Sequence, residues 1–247
     1  MKYAHTERYK VRNHEIEPNQ LMTIPSMMLV MQDASMINAE QLKLTMWDMV
    51  DRNVSWVLLR KELTIFKLPK RGDSIKVLTY PSGFDRVFAY RDFKMFKEND
   101  NSEEELLAQA SSTWTLMNMS SRKMERIPPS FFEFSPKDNS HCLTIPKSKI
   151  PVLNSAEHSK QYEVGHYDLD WNGHINNVVL TKLIFQSMPK AWLGKTELSN
   201  YVIHIKSECF LGEQLTILFE EISPIETRHH ILGEGDRTVA IAMAQWG

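Results

Sequence analysis

Asp168-Leu169-Asp170-Trp171-Asn172-Gly173-His174-Ile175-Asn176-Asn177 decides the fold, because its frame occurs twice. Laid over Glu15-Ile16-Glu17-Pro18-Asn19-Gln20-Leu21-Met22-Thr23-Ile24, it repeats the pattern acid, apolar, acid, any residue, Asn. The offset that takes Glu15 to Asp168 also takes Tyr9 to Tyr162, Val11 to Val164 and the helix-cap candidate Thr23 to Asn176. Further on, Gly72-Asp73 answers Gly212-Glu213, and Ala108-x-Ala110-x-Ser112-x-Trp114 answers Ala240-x-Ala242-x-Ala244-x-Trp246, at progressively shorter offsets. Offsets that shrink in one direction mean shorter loops in the second copy, since loops absorb length changes. The chain reads as a duplication.

Each copy opens with a short strand, turns a polar corner and enters a helix. In the first, Met27, Val30, Met31, Ala34 and Ile37 recur at helical spacing. Thr23 can cap that helix, and Pro25 is tolerated in its first turn, where backbone N–H groups lack intrahelical partners. Leu180, Leu183, Ile184 and Met188 form the matching face after Asn177. Four strand-like runs follow the first helix: Trp56 to Leu68, Ser74 to Tyr80, Val87 to Phe96 and Leu106 to Met117, separated by turn residues. One helix with an antiparallel sheet places each copy in the α+β class. Small residues at every second position of the last strand leave room for a helix against the sheet. A sheet wrapped around a central helix is the hotdog arrangement, here two in tandem. Pro128, Pro129, Pro136, Pro146 and Pro151 among Ser, Asn and Lys give residues 128–152 the composition of a linker. This divides the chain into 1–127 and 153–247, although Phe131, Phe132 and Phe134 suggest that part of the linker packs down.

Bulk properties exclude several classes. The chain has 247 residues, 42% hydrophobic and 24% charged, which is ordinary globular composition. A net charge of -2 argues against a general nucleic-acid binder. No run reaches the ~18 apolar residues of a membrane span. With no visible signal peptide and only Cys142 and Cys209, the expected setting is cytoplasmic, with free thiols.

Two carboxylates, three amides and an imidazole within ten residues exceed what a helix start needs. His174 has Leu21 as its counterpart, so the titratable group belongs to the second copy alone. In an extended segment Asp170, Asn172 and His174 would share one side, just ahead of helix N–H groups able to polarise a carbonyl oxygen. Asp170 and Asn172 also have partial counterparts in Glu17 and Asn19, so turn-building competes with chemistry for them. Ser207-Glu208-Cys209 forms a second constellation confined to the second half, with Leu68 and Pro69 in the equivalent places.

These segments, with Trp56-Val57-Leu58, Gly72-Asp73, Ala110-Ser111-Ser112-x-Trp114 and Arg122 to Pro128, resemble the fatty acyl-ACP thioesterases of plants and bacteria over nearly the whole chain. The resemblance implies a tandem hotdog fold and hydrolysis of the thioester between a fatty acid and the phosphopantetheine of acyl carrier protein, without metal or organic cofactor. It implies catalytic roles for Asp170, Asn172, His174 and Glu208, with Cys209 as a rival nucleophile. Gly173 stands where plant members often carry a bulkier polar residue. The first copy, lacking the histidine, is then expected to receive the acyl chain, with Met27, Met28 and Met31 offering adaptable apolar surface. Lys67, Lys70, Arg71, Arg122, Lys123 and Arg126 are candidates for meeting an acidic carrier. An acyl-CoA thioesterase and a non-catalytic acyl-binding regulator are the alternatives. A homodimer is compatible with an uncovered sheet edge.

Overall fold

The computed structural model describes residues 2–99, 103–136, 141–143, 149–153, 156, 158–190, 192 and 198–247. The chain divides into two compact units, Met1–Pro146 and Lys147–Gly247.

The N-terminal unit contains β1 (His5–Lys10), α1 (Ile24–Gln41), β2 (Val54–Ile65), β3 (Ser74–Phe84), β4 (Ala89–Glu98), β5 (Glu104–Asn118) and the short β6 (Met124–Glu125). Its strands pair antiparallel in the order β1-β3-β4-β5-β2, with β6 added to the end of β5. The C-terminal unit contains β7 (His158–Glu163), α2 (Asn177–Ser187), β8 (Leu198–Ile205), β9 (Gln214–Ser223), β10 (Glu226–Leu232) and β11 (Thr238–Trp246). It pairs in the order β7-β9-β10-β11-β8, the same path element for element. Each unit is a hotdog, with α1 against β1 and β3 and α2 against β9.

Both helices start as their sequences dictate. Thr23 Oγ1 accepts from Ser26 N (3.1 Å), and Asn176 Oδ1 accepts from Val178 N (2.9 Å), each satisfying a donor the helix cannot. The small residues of the last strands, Ala108, Ala110 and Ser112 in β5 and Ala240, Ala242 and Ala244 in β11, are all buried.

The duplication extends to single hydrogen bonds. Tyr9 OH donates to Glu15, and Tyr162 OH donates to Asp168 (2.7 Å). Val11 N and Val164 N bond to Asp73 O and Glu213 O, both at 3.0 Å, while Gly72 N and Gly212 N return the bond to Val11 O and Val164 O. These two glycines lie at φ +82° and +79°, the left-handed region that side chains with a Cβ resist.

Part of the Pro-rich stretch belongs to the N-terminal unit. Pro129–Phe134 forms a 3-10 turn whose Phe131 is buried beside Leu116 and Val54. Within the expected linker, residues 137–140 and 144–148 lie outside the described residues. Among the described residues no helix is long and apolar enough to cross a membrane, and both cysteines are free.

Candidate active site

The segment from Asp170 to His174 is a tight turn, which corrects the expectation of an extended row. Gly173 N donates to Asp170 O (3.0 Å), Asp170 N donates to His174 O (2.8 Å), and Gly173 takes φ +75°. Leu169 and Ile175 bridge across the base of this turn. Asp170 Oδ1 accepts from Asn172 N (2.8 Å) and more weakly from His174 N (3.4 Å), so its carboxylate orders the loop backbone as Asx turns do. The first copy closes the same turn through Gln20 N to Glu17 O and Glu17 N to Leu21 O, both 2.8 Å. There Gln20 occupies the positive-φ position (66°), at a steric cost that Gly173 avoids.

A second loop reaches this turn. Ile175 N donates to Cys209 O (2.9 Å), as Met22 N donates to Pro69 O (2.8 Å) in the first copy, confirming Cys209 as the counterpart of Pro69. With the backbones tied, His174 Nδ1 lies 3.4 Å from Glu208 Oε1, and both side chains are about one-quarter exposed or less (21% and 25%). That is ion-pair distance and long for a hydrogen bond. Phe210 meets the imidazole edge-on, ring centroids 5.1 Å apart at 85°, and leaves half of its own surface exposed. Near the other end of the turn, Trp171 is also half-exposed.

Cys209 stands apart from this pair. Its side chain is fully buried, and burial, then Glu213, pushes the thiol up to about 11. A thiol so held is neutral near pH 7 and a poor nucleophile.

Two groups escaped the sequence reading. Arg237 donates from Nη1 to Glu208 O (2.9 Å) and to Ser207 Oγ, and from Nη2 to Glu213. Glu213 in turn accepts from Phe210 N (3.3 Å). One guanidinium therefore anchors the loop that presents Glu208. The first copy pairs its equivalent turn carboxylate as well, Lys97 Nζ donating to Asp73 (2.8 Å), and this parallel was the available signal for Glu213. Arg237 gave none, because its partners lie 24 to 30 positions away.

Met27, Met28 and Met31 fill the core, with 0 to 2% of their surface exposed. A small apolar pocket of about 100 Å³, partly open to solvent, lies instead over Met36, Leu44, Trp56, Phe84 and Trp114. The six basic candidates do not form one patch. Lys67, Lys70 and Arg71 follow the Ile65 end of β2, whereas Arg122, Lys123 and Arg126 follow the Asn118 end of β5. Register pairs Ile65 with Ala108 and Val54 with Asn118, so the groups lie at opposite ends of a ladder roughly 35 Å long. Lys67 is already paired with Glu105 (2.7 Å). Among the described residues no cluster of His, Cys, Asp and Glu is fit to hold a metal ion.

Two hotdog units, the second carrying the His174–Glu208 pair on loops where the first has Leu21 and Leu68, define a tandem hotdog protein. Family models agree: the acyl-ACP thioesterase N-terminal domain matches residues 2–134 and the C-terminal domain matches 153–247. The chain belongs to the acyl-ACP thioesterase family. It is 23% identical over 257 residues to oleoyl-acyl carrier protein thioesterase 2, chloroplastic, of Arabidopsis thaliana, covering 96% of this chain and 68% of that protein. It is 28% identical over 222 residues to palmitoyl-acyl carrier protein thioesterase, chloroplastic, of Gossypium hirsutum, covering 83% of this chain and 52% of that one. The chain thus spans about half to two thirds of these curated relatives. Among solved structures, an acyl-ACP thioesterase from Bacteroides thetaiotaomicron aligns at TM-score 0.89 and 18% identity over 100% of this chain and 98% of that one. The 12:0-ACP thioesterase from Umbellularia californica aligns at 0.90 and 20% identity over 99% and 97%. These establish the fold.

Proposed function

We propose that this protein hydrolyses the thioester of fatty acyl-[acyl-carrier-protein], with the chemistry carried by the C-terminal unit. The observation that carries the reading is the His174–Glu208 contact, found in a family member and confined to one of two otherwise parallel copies.

Glu208 takes a proton from a water that attacks the thioester carbonyl carbon. The tetrahedral oxyanion is held by His174, Asn172 and the N-terminal end of α2, where unpaired N–H groups favour negative charge. As the intermediate collapses, the C–S bond breaks, the pantetheine sulfur leaves with the electron pair and takes up the proton from Glu208, and the fatty acid is released. Asp170 acts on the loop backbone, and Arg237 acts on the loop of Glu208. Both are positioning residues. Cys209 takes no part, since its buried neutral thiol cannot reach substrate. The acyl chain occupies the apolar pocket of the N-terminal unit, with Met36 as the contributing methionine of α1. The partner is the acyl carrier protein, which presents the chain on its phosphopantetheine.

The test is thiol release from acyl-ACP and acyl-CoA of several chain lengths. Release that favours the carrier-linked substrates is expected. Preference for CoA would overturn the carrier assignment, and release from neither would overturn the enzymatic one.

A further inference from the structure

The loop that presents Glu208 also sets an aromatic ring against His174. Phe210 meets the imidazole edge-on, with ring centroids 5.1 Å apart at 85°. The first copy keeps the backbone of this place but not the side chain. There Lys70 N donates to Asp73 Oδ2 (2.9 Å), and Asp73 N donates to Lys70 O (3.1 Å). In the second copy Phe210 N donates to Glu213 Oε2 (3.3 Å), and Glu213 N donates to Phe210 O (3.2 Å). Leu21, the counterpart of His174, bridges Lys70 across the two loops, so the shared frame sets positions 174 and 210 side by side. One copy thus has leucine beside an exposed lysine, and the other has histidine beside phenylalanine. Phe210 is 51% exposed, so the fold gains little from its ring.

An imidazole held at one atom can still turn. His174 meets Glu208 through Nδ1 (3.4 Å), and rotation of a histidine ring about its Cβ–Cγ bond is broad and roughly twofold. A half-turn would carry Nδ1 away from the carboxylate. A ring set edge-on against the imidazole narrows that rotation by shape and by its charge distribution. Arg237 holds Glu208 O and Glu213, and Glu213 holds the Phe210 amide, so one guanidinium places both partners of the imidazole. We propose that Phe210 is a positioning residue, fixing the His174 imidazole with Nδ1 on Glu208 and leaving Nε2 for the substrate oxygen. Its effect on turnover rests on the hydrolytic reading, whereas the ring contact can be tested without turnover.

The experiment compares Phe210→Ala, Phe210→Tyr and Phe210→Lys with the unaltered protein in thiol release from a carrier-linked fatty acyl thioester. A residue acting through a group that stabilises the transition state lowers kcat and kcat/KM together. Phe210→Ala should therefore lower kcat about tenfold, ~1.4 kcal/mol of barrier, with KM within about twofold and the urea midpoint unchanged. Phe210→Tyr keeps the ring and should restore most of kcat, whereas Phe210→Lys, which installs the residue of the first copy, should not. Undiminished kcat in Phe210→Ala overturns the proposal, as do equal losses in the Ala and Tyr variants. A loss carried by KM alone would make Phe210 a substrate contact and also overturn it. Carbon–proton NMR of the histidine rings supplies the second readout, with the His174 signal assigned by its absence in His174→Ala. That signal should be displaced by the Phe210 ring current and move in Phe210→Ala. An unmoved signal overturns the proposal even if the unaltered protein releases no thiol, a result that would by itself remove only the hydrolytic reading.

Discussion

Replacing Arg237 with Met should damage stability and turnover by separable routes. The Glu213 side chain is 9% exposed, and the substitution removes its cation. Stripping the partner from a fully buried carboxylate costs about 3–5 kcal/mol. Arg237 is itself 38% exposed and Glu213 keeps the Phe210 amide, so about 2–3 kcal/mol is the expected loss. With a urea m-value of roughly 2–3 kcal/mol/M, the unfolding midpoint falls by about 1 M. Turnover falls because Glu208 O and Ser207 Oγ lose their shared donor. A displacement near 1 Å costs on the order of 100-fold. The double variant Arg237→Met/Glu213→Gln separates the two effects. Without a buried charge it should recover most of the midpoint, while thiol release stays low because the Glu208 loop remains unanchored. The same pair can be disturbed with both charges kept. A Cβ built on Gly233 would lie 2.5 Å from Glu213 Oε1 and 2.9 Å from Arg237 Nη2, so Gly233→Ala should lower turnover in the same direction. Full turnover in the double variant, or an unchanged midpoint in Arg237→Met, would refute this reasoning.

Other expectations follow from the geometry. Cys209→Ala should retain turnover within a few-fold, and its collapse would restore the thiol as nucleophile. Asp170→Asn keeps the Oδ1 acceptor for the Asn172 amide and should retain far more turnover than Asp170→Ala; equal losses would instead mark the charge of Asp170 as catalytic. Lys61 has its pKa lowered by burial to about 7, against 10.5 when unperturbed. The unfolded chain therefore binds the extra proton between these values, and stability contributed by this group rises with pH from about 7 to 10.5. Lys61→Met should raise the urea midpoint near pH 7 and flatten that rise. A lower midpoint across the whole range would show that the cation is stabilised by its surroundings.

The fold was legible because both copies are built from local signals. The caps Thr23 and Asn176, the positive-φ glycines Gly72 and Gly212, and the alternating small residues of β5 and β11 each act within a few residues of where they appear. The one-sidedness of His174 and Glu208 was legible through the same comparison. Three features were not. The turn from Asp170 to His174 bends because Asp170 turns its carboxylate onto its own backbone, a choice that residue spacing alone leaves open. Arg237 was invisible because its partners are joined to it only by the docking of β11 beside the 206–213 loop. Met27, Met28 and Met31 read as ligand surface, yet helical periodicity cannot distinguish a face buried against a sheet from one lining a pocket, and Met36, farther along α1, is the methionine that borders it.

The proposed hydrolysis depends on Glu208 as its base. Its most direct test is thiol release from a carrier-linked fatty acyl thioester by the unaltered protein and by Glu208→Gln, which preserves the shape of the side chain and removes its basicity. Release by the first with loss of about 100-fold or more in the second is the predicted result. Undiminished release by Glu208→Gln would contradict it.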